Sequence, residues 1–496
     1  MSSTTSLSPS VRLTVPGPSP SPFFGSVPHA LRFGADSVGY TRQLFQTYGP
    51  VVSLSAGGGT NLYSSQSRCP GTVFAYGPEV IRTVGSQHDT YYKYPLTGRA
   101  YRKRTISARH QPLTHFMVGL FGLNGDPHRQ FRQLLMPNFH KQRIEGYRND
   151  IAAITQSVLD QMPVTEECDI LEVMRRLTIR VTTKILFGFD MDESGTRLGK
   201  LLENIFAQST SRMFSFLPFD LPGLPYHRYL NLLAQFEDEM RALVARKREH
   251  NTDDTDVLSM LIAARDATSG VQLSEDEVLG HVGVFFGAGY DTTAVSLSWT
   301  LFLLSQHPDI FANLLDELES VLQGEAPTIG QLHQLPLLDR VIKESMRILP
   351  AVPWNGRVTS KPTELGGYAL PEGTEVFVSI YQTHHMPELY AEPEVFNPQR
   401  WETIEPSMFE YVPFSAGSRT CIGAAFALIE MKIVLAMLLQ RYRLEFVPKV
   451  DVDRVGVIVM EPKYGLPMTV HQQDRQFNQG VGGVRGNVRE MVNLPE

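Results

Sequence analysis

The stretch PFSAGSRTCIGAAFALIE, residues 413–430, decides how the rest of the chain is read. It holds Cys421, one of three cysteines in 496 residues, with Arg419 two places before it and Gly423 two places after. From Ile422 to about Gln440 apolar residues recur at helical spacing, so the cysteine is expected at a helix N-terminal edge. Unpaired backbone N–H groups and the positive dipole end there lower a thiol pKa and donate hydrogen bonds to sulfur. Such a thiol is a nucleophile, a metal ligand or a buried core group. No local signature of a cysteine hydrolase accompanies it. Gly417 permits a turn with positive φ, and Gly423 leaves room for something flat to approach the helix start. Arg419 offers a planar fork for a carboxylate.

Composition narrows the setting. Apolar residues at 42% and charged residues at 20% are ordinary for a folded soluble protein. A net charge of −7 argues against a general nucleic-acid binder. The cysteines (Cys69, Cys168, Cys421) are too far apart for a disulfide framework or a C-x-x-C metal pair, which fits a reducing cytoplasm. Residues 1–22, rich in Ser, Thr and Pro, form an extended or disordered leader with neither a signal peptide nor a membrane anchor. The window 284–304 is almost long enough to span a bilayer, but Asp291 and two threonines stand at its middle, so a buried core helix is expected.

Short strand-like runs at 48–56 and 71–77 precede a helical stretch from about 125 to 350; alternation at 350–382 marks strands again. The fold class is α+β with helix dominant. Ser274 and Glu277 form a capping box that opens a long helix reaching about Gln306. Asp126 reads as an N-cap, with His128 and Arg132 on one face of the helix that follows. Residues 471–496 are Gly-rich and polar, a tail over the surface.

Phe414, Gly417, Arg419, Cys421, Gly423, Ala427 and Glu430 reproduce F-x-x-G-x-R-x-C-x-G-x-x-x-A-x-x-E, and here the chain resembles the cytochromes P450. Other stretches agree. Glu344 and Arg347 match the family's E-x-x-R, completed by Arg400 in PEVFNPQRW; this triad is structural in role. Ala288 to Thr293, AGYDTT, match [AG]-G-x-[DE]-T-T. The resemblance implies a single P450 domain over 23–470, a long central helix above the haem, and small β-sheets. It makes Cys421 the proximal thiolate ligand of haem b, with Phe414 packed beneath the ring and Arg419, His128, Arg132 and Arg357 near its propionates. Ala288 and Gly289 would face the cofactor, Gly289 by removing bulk where a ligand approaches. Thr292 would hold water or an oxygen ligand, and Asp291 would relay protons. A back-bonding helix threonine and an internal ion pair are the bland alternatives for these two.

By the same resemblance the protein is a monooxygenase that uses O2 to hydroxylate or epoxidise a lipophilic molecule, fatty acyl, terpenoid or steroid-like. No flavin, nicotinamide or iron–sulfur signature is present, so NAD(P)H electrons would arrive through a ferredoxin or flavodoxin and its reductase, docking near Arg129 and residues 140–143. The pocket would draw on residues 94–122, 205–225, Phe285, Phe286, Val352, Trp354 and 457–460. Six cations within 91–110 (Lys93, Arg99, Arg102, Lys103, Arg104, Arg109) form either a solvated loop or a partner for a substrate carboxylate. His384 and His385 read as structural. Rival readings are a haem-thiolate isomerase or dehydratase and a non-catalytic haem sensor; the Asp291–Thr292 pair counsels against the former.

Overall fold

Helices arise where apolar residues recur on one stripe behind a polar cap. Those that position the site are, in chain order, α1 (Pro78–Ser86), α2 (Gly125–Leu135), α3 (Ile170–Phe187), α4 (Asp192–Thr210), α5 (Pro225–His250), α6 (Glu275–Ser305), α7 (Pro336–Ile348) and α8 (Ala424–Arg441). The computed structural model describes residues 13–62, 64, 69–93, 108–117, 119–139, 141–188, 192–210, 219–250, 256–264, 272–456 and 458–496. The fold is α+β and mainly helical, as expected.

The long helix α6 begins on the anticipated capping box: Ser274 Oγ accepts from Glu277 N (3.3 Å) and Glu277 Oε2 accepts from Ser274 N (2.9 Å). Its 31 residues span roughly 46 Å. It packs against α3, α5, α7 and α8, so the helix that might have crossed a membrane is the centre of the core. From Thr293 to Ser305 every residue is buried. Among the described residues no helix is long and apolar enough to cross a membrane.

Strands β1 (Val51–Ser53), β2 (Thr72–Ala75), β3 (Tyr91–Tyr92), β4 (Trp354–Thr359) and β5 (Glu375–Ser379) form one sheet in the order β1-β2-β5-β4-β3. Only the β2–β5 pair is parallel. Strands β6 (Tyr442–Phe446) and β7 (Pro467–Gln472) pair antiparallel, with Met468 opposite Phe446. An aromatic cluster of Phe33, Phe74, Trp354 and Phe377 packs the large sheet, with the Phe74 and Trp354 rings 5.6 Å apart. Trp354 is therefore core, not pocket. Aromatic neighbours claimed its apolar surface before a ligand could.

The Gly-rich C-terminal segment was expected over the surface, yet it buries Val484, Val488, Met491 and Val492. Its glycines are contact points. At Gly486, with φ +96°, a Cβ would stand 2.7 Å from Val452 O, and at Gly480 one would stand 2.5 Å from Glu445 Cγ. The segment caps α6, since Gln306 Nε2 donates to Gly480 O (3.1 Å) and Gly482 N donates to Gln306 Oε1 (2.8 Å). It ends against another part of the chain, where Asn493 N donates to Glu394 O (2.8 Å).

Candidate active site

The cysteine loop is closed by backbone. Cys421 N donates to Phe414 O (2.8 Å) and Thr420 N to Gly417 O (3.1 Å). Gly417 has φ +71°, and a Cβ there would lie 2.1 Å from Gly85 O on α1. Glycine is thus required twice, by the left-handed backbone and by the approach of α1. Helix α8 starts at Ala424 rather than Ile422, with Gly423 as its cap, so Cys421 sits in the turn before the helix.

Exposure and enclosure differ at this cysteine. A solvent-sized sphere reaches the Cys421 residue, yet protein atoms surround its sulfur, so it faces an interior space. The expected lowering of the thiol pKa is reversed. Burial pushes it up, while the Gly423 N–H, Arg132 and Lys93 pull it down. A helix end acts only over short range, and enclosure outweighs it here.

Cations gather around that sulfur. Burial, then the charges of Arg357 and Arg419, hold Lys93 well below the usual lysine range, and Cys421 opposes them. Lys93 Nζ lies 3.5 Å from the centre of the Phe121 ring. His128 is driven down to about 3 by burial and then by Arg419, Arg132, Lys93 and Arg357. Burial also lowers Arg132, against the pull of Cys421. Arg419 donates to Leu120 O (3.3 Å), Leu123 O and Asn124 Oδ1 (2.8 Å), and Arg357 to Gly356 O (2.8 Å). These four acceptors are neutral. A flat group with two carboxylates beside a thiol offsets the charge of the cations, so these residues fit a haem. Lys93 was read only as part of a basic loop. Its membership here depends on Asn124, whose side chain accepts from Lys93 N (2.7 Å) and from Arg419, a contact no local pattern announces. Asn124 is also the residue before α2, where Asp126 was expected as cap; Asp126 instead pairs with Arg129 at 2.7 Å.

Below the loop lies the triad. Glu344 Oε1 and Oε2 accept from Arg347 Nη2 and Nε at 2.9 Å each, and Oε1 accepts from Arg400 Nε at 2.9 Å. Arg347 Nη1 donates to His384 O (2.8 Å), and His384 Nε2 accepts from Val412 N (2.9 Å). Val412 is two residues before Phe414, which connects the triad to the cysteine loop. His385 is held by Tyr381 O (2.9 Å) and Met491 O (3.3 Å), a structural role like that of its neighbour.

On α6, Ala288 is exposed in the middle of the helix, and Thr292, one turn on, is half-buried on the same stripe. Thr292 Oγ1 donates to Ala288 O (2.8 Å), which is the back-bonding arrangement, so its lone pairs remain the groups able to accept from a ligand or water. Asp291 Oδ1 accepts from Arg175 Nε (2.9 Å). Gly289 departs from expectation. A Cβ there would meet Thr182 Cγ2 of α3 at 3.2 Å, so the glycine serves helix packing, and α6 runs through it as unbroken α-helix.

The pocket residues divide. Phe286 is fully buried, with its ring 5.6 Å from that of Tyr290 and 6.4 Å from that of Phe187; it is core. Phe285 packs on Phe139 at 5.7 Å, and Val352 is half-buried. Arg109 turns inward to Asp220 (3.4 Å) and Asn231. Residues 94–107, 211–218 and 457, with Arg99, Arg102, Lys103 and Arg104 among them, lie outside the described residues.

A helix-rich fold with one long central helix, and a sulfur-bearing loop ringed by cations, defines a site of the haem-thiolate kind. The sequence model of the cytochrome P450 family matches residues 15–466, and the chain belongs to that family. A cyclooctat-9-en-7-ol 5-monooxygenase of Streptomyces melanosporofaciens is 34% identical over 333 residues, 65% of this chain and 72% of that protein. A pentalenene oxygenase of Streptomyces avermitilis is 30% identical over 338 residues, 66% and 74%. A cytokinin hydroxylase of Arabidopsis thaliana is 29% identical over 417 residues, 80% and 78%. The solved structure of retinoic-acid-bound cyanobacterial CYP120A1 superposes with a TM-score of 0.78 over 93% of this chain and all of that one; at 24% identity it shows the shared fold. The protein is an oxidoreductase, a monooxygenase that incorporates oxygen from O2.

Proposed function

We propose that the protein hydroxylates or epoxidises a lipophilic small molecule, with terpenoids the leading class, through a haem held by Cys421. Haem supplies the activation of O2 and the oxygen insertion. The protein binds, orients and delivers protons. Lys93, His128, Arg132, Arg357 and Arg419 would hold the two propionates, whose negative charge would offset that of the cations. The loop from Phe414 to Gly423 fixes the sulfur, Phe414 would pack against the haem, and Glu344, Arg347 and Arg400 brace the loop through His384. Ala288 borders the reaction space. Thr292 accepts a hydrogen bond there, and Asp291 moves a proton in from Arg175's side of α6. Electrons come from NAD(P)H through a ferredoxin or flavodoxin and its reductase.

The observation that carries this reading is the loop that presents Cys421, closed by the bond from Cys421 N to Phe414 O (2.8 Å) and by Gly417 packed on Gly85, with the charges of Arg132 and Lys93 favouring its thiolate. Bacterial terpenoid monooxygenases among the relatives support the substrate class. Cys421→Ser is expected to abolish the long-wavelength absorbance of the reduced carbonyl complex, and retention of that band defeats the assignment. A screen of terpenoids, fatty acids, steroids and polar sugars for haem spin-state shifts tests the substrate; shifts confined to the sugars would overturn it.

A further inference from the structure

Arg175 on α3 sits at the centre of a charge imbalance. Its Nε stands 2.9 Å from Asp291 Oδ1 of α6 and 3.8 Å from Glu203 Oε1 of α4. Its Nη1 is 3.4 Å from Glu172 Oε1, and its Nη2 pairs with Glu461 Oε2 of the short strand Glu461–Pro462. Four carboxylates thus face one guanidinium that is only 15% exposed. Tyr290, whose hydroxyl donates to Gly199 O (3.3 Å), is a further titratable group against them. Arg175 is the cation paired with Glu203, with its Nε 3.8 Å from Glu203 Oε1; Lys200 precedes Glu203 by three residues on α4. Carboxylates crowded this way cannot all ionise at little cost, so the set favours keeping a proton. Burial raises Glu203 to about 7; Arg175 opposes, while Glu172, Asp291 and Glu461 add to the rise. Burial raises Glu461 as well.

We propose that Glu203 holds an exchangeable proton at neutral pH and feeds it to Asp291 across the shared guanidinium of Arg175. Glu203 gives up a proton as the Asp291 carboxylate takes one, and Glu203, 37% exposed, regains it from bulk water. No electron moves in this exchange. Glu203 acts through Asp291 and is a positioning residue. The delivery step rests on the reading of Asp291 as proton donor; the stored proton does not.

Infrared difference spectra of the ferric haem-loaded enzyme, recorded through neutrality, test storage. A carboxyl C=O band is expected to disappear with a midpoint of about 7, to be missing in Glu203→Gln and to return in Glu203→Asp. An unchanged band in Glu203→Gln overturns the proposal. Delivery is read from peroxide release with NAD(P)H, a ferredoxin system and no organic substrate, because that release consumes two protons per O2. Glu203→Gln is expected to shift its pH midpoint, and Asp291→Asn to remove the pH dependence. If Asp291→Asn leaves the profile intact, the donor role of Asp291 fails while the infrared result still decides the proton on Glu203. If Asp291→Asn alters the profile and Glu203→Gln does not, delivery from Glu203 is refuted.

Discussion

Replacing Glu344 by glutamine is the sharpest test of how the cysteine loop is supported. Its carboxylate is 0% exposed and accepts from Arg347, from Arg400, from Trp401 Nε1 (2.9 Å) and from Asn397 N (3.1 Å). Both guanidiniums spend their remaining donors on neutral carbonyls, Arg347 on His384 O and Arg400 on Ala391 O (2.6 Å) and Val395 O (3.1 Å). Glutamine leaves two buried cations without a counter-charge and turns an amide N–H toward a guanidinium. Removing one partner of a buried ion pair costs about 3–5 kcal/mol, and sharing between two arginines puts this change at the upper end. Against a total of about 5–15 kcal/mol, that is a third or more of the fold's stability. The urea midpoint followed at the haem absorbance, with haem content per chain, measures it. The partly exposed pair of Arg340 and Glu402, 2.5 Å apart, is the control, and Glu402→Gln is expected to cost below about 1 kcal/mol. If Glu344→Gln costs no more than Glu402→Gln and keeps its haem, the bracing argument is wrong.

Other outcomes follow from the same geometry. Gly417→Ala combines about 1–2 kcal/mol of left-handed strain with a collision at Gly85 O, so haem retention should fall sharply. Gly85→Ala, whose Cβ would sit 3.2 Å from Ala416 O, should be milder; equal effects would contradict the placement. Thr292→Ala is expected to divert reducing equivalents into peroxide, and unchanged coupling counts against its proton role. His281 is held down to about 4 by burial. Its folded pKa lies below the unfolded value of 6.5, so the stability it contributes is present above pH 6.5 and lost as pH falls toward about 4. The full loss is about 3 kcal/mol. His281→Gln should flatten acid unfolding in that window, and an unchanged curve would show the imidazole is not titrating there.

The cysteine loop, the Glu344–Arg347 pair and the start of α6 were legible because each is written in local spacing: i to i+3 on a helix, or a glycine where φ must be positive; Arg400, 56 residues from Glu344, was reached through the family resemblance. What escaped depends on chain segments meeting across the fold. Lys93 joins the cation cluster through Asn124, 31 residues away. Gly289 looked like room for a ligand, but the space is filled by Thr182 of α3. Phe286 and Trp354 are apolar enough for any pocket, and sequence cannot say whether a ligand or another aromatic ring covers them. The thiol pKa went the wrong way for the same reason, since a helix end is visible in sequence and enclosure is not. The imbalance around Arg175 draws on four separate elements, so no window of sequence contains it.

The segment that caps Gln306 lies beyond residue 466, where the match to the family's sequence model ends. Trimming the chain to residue 466 would uncover Val452, which bonds through its backbone to Arg485 and Val488. A separately made peptide of residues 467–496 should re-cover Val452 and rescue the shortened protein, as a wedge returned to its slot.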